Sequence, residues 1–296
     1  MSLALLIISI ILFGMDVYNK KIVGDQTGPE FHMDTNLVEV SVKDKEEKLL
    51  DEMTAVDVKD GDVTDSIIVE AVSPFTGTGH RIVTYAAFDS DNHVTHAKRE
   101  LAYTDYEDSQ FHLAKQLSFP MNATNLLDGI TVNDCLDGDL TKNVRMMSDE
   151  EIDTSHVGEY KARLKVTNSA GGVSYLPVTI EIYDASVKYK FPQIKLTDNV
   201  VYVEKGADFD EREYVDSIVI NGTDYSLTDS DGTYGASYLS PDNTDKTIGL
   251  NRVDIESDVD TDVSGYYEVV YSIDDTVYAT GIGNARLYVV VKEGGL

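Results

Sequence analysis

The chain has 296 residues and a net charge of −29, from 24 basic and 53 acidic side chains. This balance excludes nucleic acid and anionic membrane surfaces as partners, because both are bound by clustered lysine and arginine. A hydrophobic content of 42% suffices for packed cores and excludes a globally disordered chain. The 18 tyrosines, together with many valines, favour strands.

The first apolar run, Leu3–Met15, has 13 residues. It is shorter than the ~20 residues of a membrane-spanning helix and has the length of a signal-peptide core. No basic residue precedes it, no small-x-small cleavage site follows it, and Lys20 and Lys21 come after it. We expect residues 1–28 to be an export or anchor segment with a linker, associated with the membrane. Either the true start lies upstream, or the segment is an uncleaved N-terminal anchor. The alternative is a helix buried in the first domain.

The segment 29–107 alternates apolar and polar residues in the manner of half-buried strands. Strands are predicted around Val38–Val42 and over the ranges Ser66–Val72, Arg81–Phe88 and Val94–Tyr103. The charged stretch 43–53 is interpreted as a connection rather than a helix, because its counterpart further along the chain contains proline and glycine.

Residues 49–64 recur as residues 126–141 at an offset of 77, with nine of sixteen positions identical. The shared positions are Leu49/Leu126, Leu50/Leu127, Asp51/Asp128, Thr54/Thr131, Asp57/Asp134, Asp60/Asp137, Gly61/Gly138, Asp62/Asp139 and Thr64/Thr141. An internal repeat of this clarity predicts a tandem array, with 108–186 as the second domain.

The second domain is predicted to close with a hairpin, in which strands at Tyr160–Val166 and Val178–Ile182 flank a turn at Asn168–Gly172. The third segment, 187–296, repeats only the later half, in residues 259–275 and a closing strand at Arg286–Val291. The Gly-, Ser-, Asp- and Tyr-rich stretch 221–247 replaces the acidic turn and begins with a predicted Asn-Gly hairpin turn.

The chain contains signatures of the form V-x-D-x-x-D-G-D-[VL]-T, then [VI]-D-T followed by G-x-Y, then V-T-[DN]-S-x-G, and the second domain matches them best. They resemble those of bacterial immunoglobulin-like modules of the hyaline-repeat and cadherin-like group, and the resemblance covers roughly residues 31–293. It implies an all-β fold of tandem immunoglobulin-like β-sandwiches that serve as spacers, stalks or adhesive units. Short alternating strands between turn residues independently indicate β-sandwiches.

Asp57, Asp60 and Asp62 of the first DGD turn, with Asp89 and Asp91, are candidate calcium ligands, because calcium prefers carboxylate oxygens. The competing interpretation is that these carboxylates accept backbone N–H bonds and hold the turn together. The favoured prediction assigns no metal ligand, no cofactor and no catalytic residue to the chain.

The cysteine, the histidines and the motif content of the sequence do not indicate an enzyme. The single cysteine, Cys135, is expected to be a small buried side chain and permits no intrachain disulfide. The histidines are expected on the surface without forming a metal pair: His32, His80, His93, His96, His112 and His156. Nucleophile elbows, zinc motifs and phosphate-binding loops are absent from the sequence.

Tyrosines of the third segment are candidates for a contact surface, since tyrosine with serine, glycine and asparagine makes adaptable binding loops. They are Tyr225, Tyr234, Tyr238, Tyr266 and Tyr267. The sequence therefore predicts a non-enzymatic stalk or adhesion protein on the surface of a Gram-positive bacterium, secreted or anchored N-terminally because no C-terminal sorting signal is seen. Its ligand would be a surface protein or glycan. Alternatives are a carbohydrate- or protein-binding module with weak calcium sites, or an accessory region of a separate enzyme.

Overall fold

The computed structural model describes residues 6–15, 27–228, 247–275 and 281–293. The chain divides into two compact units. The first comprises Met1–Glu107 with Ala170–Gly172, and the second comprises Asp108–Ser169 with Val173–Leu296. Strands and short 3₁₀ helices make up both units, which confirms the predicted all-β fold class.

The first unit contains one β-sandwich of two antiparallel-based sheets, ordered β1-β3-β4 and β2-β7-β6-β5. Its strands are β1 (Glu30–Met33), β2 (Leu37–Val40), β3 (Met53–Asp57), β4 (Gly61–Asp62), β5 (Ile68–Val72), β6 (His80–Phe88) and β7 (Val94–Tyr103). The first segment switches sheets, since β1 pairs antiparallel with β3 whereas β2 pairs parallel with β7. Val83, Tyr85 and Leu101 are among the side chains that fill the space between the sheets.

The second unit begins with a sandwich built on the same plan, with sheets ordered β11-β10-β8 and β12-β13-β14-β9. Its strands are β8 (Gln110–Leu113), β9 (Ser118–Pro120), β10 (Ile130–Asp134), β11 (Gly138–Asp139), β12 (Arg145–Met147), β13 (Gly158–Thr167) and β14 (Val173–Tyr183). Strands β3 and β10 have the same burial pattern, in which the first, third and fifth residues are buried and the second and fourth are exposed. The repeat therefore preserves the two-residue period of a strand.

The third sandwich, also in the second unit, has sheets ordered β15-β17-β18-β19 and β16-β22-β21-β20. Its strands are β15 (Gln193–Leu196), β16 (Val200–Glu204), β17 (Val215–Ile220), β18 (Thr223–Thr228), β19 (Thr247–Gly249), β20 (Asp254–Glu256), β21 (Gly265–Asp275) and β22 (Gly281–Lys292). Asn221 and Gly222 both have positive φ, 49° and 77°, and link β17 to β18. This confirms the predicted Asn-Gly hairpin turn.

Residues 6–15 form a helix whose apolar side chains are exposed, from 50% for Ile7 to 69% for Phe13. The alternative of a helix buried in the first domain is therefore wrong. Among the described residues, no helix combines the length and apolar character that crossing a bilayer requires. Most of the expected linker after this helix lies outside the described residues.

The predicted long strands all form, but the charged stretch 43–53 is more ordered than a plain connection, since Glu46–Leu50 is a 3₁₀ helix. A larger difference concerns whether each sandwich is a separate compact unit. A tandem array predicts three separate sandwiches, yet the second and third belong to one compact unit. The reason is a buried junction between them, described below, and the three predicted domain bounds themselves stay a prediction.

Candidate functional site

The second acidic turn is tied by a single buried carboxylate. Asp134, which is 2% exposed, accepts backbone N–H bonds on Oδ1 from Leu136 at 2.8 Å and Asp137 at 3.0 Å. Its Oδ2 accepts from Ser109 Oγ at 2.6 Å and from Asn168 Nδ2 at 3.2 Å. Both oxygens are therefore occupied by donors of the protein, which is the turn-holding role expected of an aspartate here.

The first acidic turn repeats this geometry on one oxygen only. Asp57 Oδ1 accepts from the backbone N–H groups of Lys59 at 2.8 Å and Asp60 at 2.9 Å. Asp57 Oδ2 is buried and accepts no hydrogen bond from the described residues. Asp91 Oδ2 lies 2.6 Å from Lys59 Nζ, so this candidate calcium ligand is already paired with a cation.

The remaining carboxylates of the turns also bind protein donors. Asp60 accepts from both the N–H and the hydroxyl of Ser90 at 2.8 Å. Asp62 accepts from Thr64 N at 2.9 Å, and hydrogen bonds from Thr64 lower the pKa of Asp62. Since these bonds are made to the ionised form, they fix the loop and hold the charge in place.

Asp89 occupies the position that Asn168 holds in the second sandwich, and it binds its own turn. Burial raises its pKa, but hydrogen bonds from His93 outweigh burial, and the net pKa is lowered. His93 N lies 2.7 Å from Oδ1 and His93 Nδ1 lies 2.6 Å from Oδ2. Within the described part of the chain, no three His, Cys, Asp or Glu side chains gather as a metal site. The geometry supports the turn-holding interpretation over calcium.

Calcium therefore provides a simple test of the turns. We expect a few millimolar CaCl₂ to leave the melting temperature unchanged relative to the same concentration of MgCl₂. A site with a dissociation constant near 1 mM would stabilise the chain by about 1 kcal/mol at 5 mM Ca²⁺, or about 2–4 °C. A calcium-specific rise of that size in scanning calorimetry would show that the carboxylates are metal ligands.

The G-x-Y signature is also explained by local bonding. Tyr160 Oη donates to the carbonyl of Asp153 at 2.8 Å, and Tyr267 Oη donates to the carbonyl of Val263 at 2.8 Å. The Tyr160 ring folds back over Gly158 at the start of the strand, within 3.6 Å of where a Cβ would lie. These tyrosines fix the entry into β13 and β21.

Asp153 organises the loop before β13. Its carboxylate accepts from the hydroxyl and N–H of Ser155, at 2.6 and 2.9 Å, and from His156 Nδ1 at 2.7 Å. These bonds, those from Ser155 foremost, lower the pKa of Asp153 to about 2.

Stability is expected to fall as this carboxylate is protonated. A folded-state pKa below the unfolded value stabilises the chain above the unfolded pKa, about 4. That stability is lost as the pH falls towards about 2. The loss of unfolding free energy caused by Asp153→Asn, measured in urea, should therefore be present at pH 6 and vanish near pH 2. An effect of Asp153→Asn that is the same at both pH values would contradict the assignment.

The junction within the second unit is built from the outer face of β16, β21 and β22. Tyr288, 3% exposed, accepts a hydrogen bond from Thr179 N at 3.0 Å and donates to Thr179 O at 3.1 Å. Val200 and Tyr288 are counted with the core of the second sandwich, and Tyr202 packs against it. Tyr202 Oη also accepts from Phe111 N at 2.6 Å, and burial raises the pKa of Tyr202 to about 12.

A charged network seals the same junction. Glu268 Oε1 accepts from Thr179 Oγ1 at 2.6 Å, and Glu268 Oε2 accepts from Lys161 Nζ at 2.8 Å. Arg286 pairs with Glu159 at 2.6 Å and its Nε lies 3.1 Å from Glu268. Burial would raise the pKa of Glu268, but the Lys161 and Thr179 hydrogen bonds prevail and lower it. Glu268 is therefore charged and anchored to both sandwiches.

The side-chain amides of Gln116 and Asn199 also form hydrogen bonds across the junction between the two sandwiches. Gln116 Oε1 accepts from Arg286 N at 2.7 Å, and Gln116 Nε2 donates to Arg286 O at 3.0 Å. Asn199 Nδ2 donates to Leu113 O at 2.9 Å. Side chains that pair with backbone on the other sandwich fix the relative orientation of the two sandwiches, because hydrogen bonds to backbone cannot slide without breaking.

A cleft of about 250 Å³ opens beside the junction. One wall is the outer face of the second sandwich, with Met147, Lys161 and Arg163, and the other contains Tyr266 and Glu268. Tyr266 is 50% exposed, and burial of the rest of the ring raises its pKa.

Of the candidate tyrosines among the described residues, Tyr266 and Tyr267 line this cleft, and Tyr266 is half exposed. Tyr225 and Tyr267 pack against the core of the third sandwich. Tyr234 and Tyr238 lie outside the described residues, as does most of the stretch 221–247. The sequence did not point to Lys161 and Arg163, because alternating cations on a strand look like an ordinary solvated face.

The other reactive side chains bind locally. The side-chain nitrogens of His80, His93, His96 and His156 each lie within 3.3 Å of a carboxylate oxygen. Cys135 is partly exposed, which corrects the expectation of a buried thiol, because it lies in the turn between β10 and β11 and not within a strand.

No known family profile matches the chain. Among curated proteins, the pesticidal crystal protein Cry22Aa of Bacillus thuringiensis is 27% identical over 232 residues, which are 75% of this chain and 27% of that protein. The chain thus spans about a quarter of the length of the curated relative that it matches.

Solved structures with similar folds include the CBM51-2 and INT domains of Clostridium perfringens ZmpB in complex with GlcNAc. That likeness has 18% identity and a TM-score of 0.22, and covers 50% of this chain and 26% of that one. The likeness to human CDH23 EC21-23 has 11% identity and a TM-score of 0.20, and it covers 89% of this chain and 100% of that one. Likenesses of this size do not indicate what this chain binds.

Proposed function

We propose that the chain is a non-enzymatic module of the bacterial cell surface, which acts as a stalk and adhesion unit. The observation that supports this most is the sealed junction of Tyr288, Glu268 and Arg286, which turns two sandwiches into one stiff body. A stiff body holds a contact surface away from its anchor, whereas a flexible linker would let it collapse.

The exposed apolar helix of residues 6–15 supports attachment to, or passage across, a membrane. Its apolar side chains are at least half exposed in the part of the chain that the structure describes, and apolar surface of this kind favours a lipid environment. The strongly acidic remainder, with a net charge of −29, suits a surface that stays soluble in salt.

The chain matches about a quarter of a longer curated protein, which supports a module that is one part of a larger protein. The carboxylates of Asp134 and Asp60 accept hydrogen bonds that hold turns, which supports a structural role for these two side chains. The proposal is therefore that the chain positions and binds rather than transforms its ligand.

Surface location is tested by labelling intact Gram-positive cells that express the full chain with a membrane-impermeant amine reagent. The many exposed lysines, such as Lys98 and Lys195, provide the reactive groups. We expect labelling without lysis, while a cytoplasmic marker protein stays unlabelled. Labelling that requires lysis would contradict the proposal.

A further inference from the structure

The outer face of the β12–β13–β14 sheet is basic, in a chain whose net charge is −29. Arg145 on β12 pairs with Lys165 on β13, and Met147 pairs with Arg163. Residues two apart on a strand point to one face, so these cations stand in a row on the solvent side. The acidic side chains of these strands, Glu159 and Glu181, are paired with Arg286 and Lys188. The list of outward cations is Arg145, Lys161, Arg163 and Lys165.

The positive charges of three of these four side chains are only weakly neutralised by neighbouring groups. Arg145 donates to carbonyls of its own loop, at 2.9 and 3.1 Å. The nearest carboxylate of Arg163 is Asp149 at 4.0 Å, and the Asp149 side chain is 98% exposed. Lys165 lies 5.7 Å above the Tyr175 ring. Exposed pairs at such distances contribute little, so the charges remain available to an anionic partner.

The cleft beside the junction continues this face. Tyr266 presents half of its ring, and the neighbouring wall offers Met147 and Pro177 as apolar surface. A volume of about 250 Å³ lies just below the ~300–1,000 Å³ of pockets for drug-sized ligands. It therefore suits one ring of a longer chain that continues over the open sheet. Lys161 and Glu268 supply polar groups at its mouth.

We infer that this face binds a carboxylate-bearing polysaccharide. The cleft takes one sugar ring against Tyr266, and the Arg163 and Lys165 side chains meet carboxylates of neighbouring sugars, Arg163 through its two-pronged guanidinium. This inference rests on the proposed function, because it names the ligand class of that adhesion unit.

Charge and shape favour this ligand over others. Three loosely compensated cations are fewer than the 6–10 phosphate contacts typical of nucleic-acid binding, and the cleft favours a ring over a featureless polyanion. The overall negative charge does not prevent the encounter, because at physiological salt charges beyond about 8 Å are largely screened. A neutral glycan has no charged group that could form ion pairs with these cations.

The experiment is affinity electrophoresis of the full chain in gels that contain polygalacturonate, with dextran and polyphosphate as comparisons. We expect polygalacturonate to retard the chain at physiological salt, where the remaining negative charge is screened, and dextran to have no effect. The double variant R163Q/K165Q should weaken retardation about tenfold, and Tyr266→Ala by a comparable factor. The charge-matched control K98Q/R212Q, at exposed positions elsewhere, should bind as the unmodified chain does.

Each outcome decides the inference. Absence of retardation in polygalacturonate overturns it, as does equal retardation by polyphosphate, which would show binding by charge alone. If K98Q/R212Q weakens retardation as much as R163Q/K165Q does, the assignment of the face is overturned. Unchanged melting temperatures show that the variants are folded. Self-association in sedimentation that is lost in R163Q/K165Q would make a second copy the partner instead. None of these results alters surface labelling of intact cells, so failure here is distinguishable from failure of the proposed function.

Discussion

Replacing Tyr288 by alanine is expected to lower the unfolding free energy of the second compact unit by about 4 kcal/mol. The side chain is 3% exposed and packs into the core of the neighbouring sandwich. Alanine leaves a cavity that rigid sheets on both sides cannot fill, and it removes both hydrogen bonds to the Thr179 backbone. Urea unfolding followed by circular dichroism measures the change.

Two further variants separate packing from hydrogen bonding. Tyr288→Phe keeps the ring but leaves the buried N–H and carbonyl of Thr179 without a partner, so about 1–2 kcal/mol should be lost. Tyr266→Ala, on the neighbouring strand and half exposed, should cost less than about 1 kcal/mol. A loss below about 1 kcal/mol for Tyr288→Ala would mean that the junction is only a loose contact.

Replacing Asp134 by alanine is expected to cost about 3 kcal/mol. Four donors lose their acceptor at once, namely the N–H groups of Leu136 and Asp137, the Ser109 hydroxyl and the Asn168 amide. Several of these lie inside the sandwich, where water cannot replace the carboxylate cheaply.

The internal repeat supplies a matched comparison for this variant. Asp57 holds the same turn in the first unit with only two donors, and its second oxygen accepts none from the described residues. Asp57→Ala should therefore cost about half as much, and Asp57→Asn should be close to neutral, because it removes a buried charge and keeps an acceptor oxygen. Equal losses for Asp57→Ala and Asp134→Ala would show that the added donors contribute nothing.

Alternation and turn chemistry predicted most of the fold. Strands such as Val94–Tyr103 are long, strictly periodic and bounded by turn residues, so their side-chain pattern determines both strand and face. The Asn221-Gly222 hairpin followed from the preference of these two residues for positive φ. Many short strands were not predicted, among them β1, β3, β8, β10 and β15, because four or five residues carry too little alternation to be recognised.

The junction was missed for a different reason. Tyr288, Arg286 and Glu268 lie on the outward face of a strand pair, and from sequence alone that face is expected to be solvated. Their burial depends on where another sandwich, about a hundred residues earlier in sequence, presents Thr179 and Lys161. No local pattern encodes such a contact, and the cleft beside it is equally invisible before the two sandwiches are placed together.

The two interpretations of the acidic turns, calcium ligands or turn-holding carboxylates, could not be decided from sequence. Calcium sites and turn-holding carboxylates use the same residues, and what distinguishes them is which donors surround the oxygens. The N–H groups that point at Asp60 and Asp134 become visible only with the backbone in place.

The most direct test of the account is hydrogen exchange of the full chain along a urea titration, analysed by mass spectrometry. If the sealed junction makes one body of the second and third sandwiches, peptides from Gly158–Thr167 and Gly281–Lys292 should lose protection at the same urea concentration. Loss of protection in Gly281–Lys292 while Gly158–Thr167 stays protected would contradict the account, because the third sandwich would then unfold on its own.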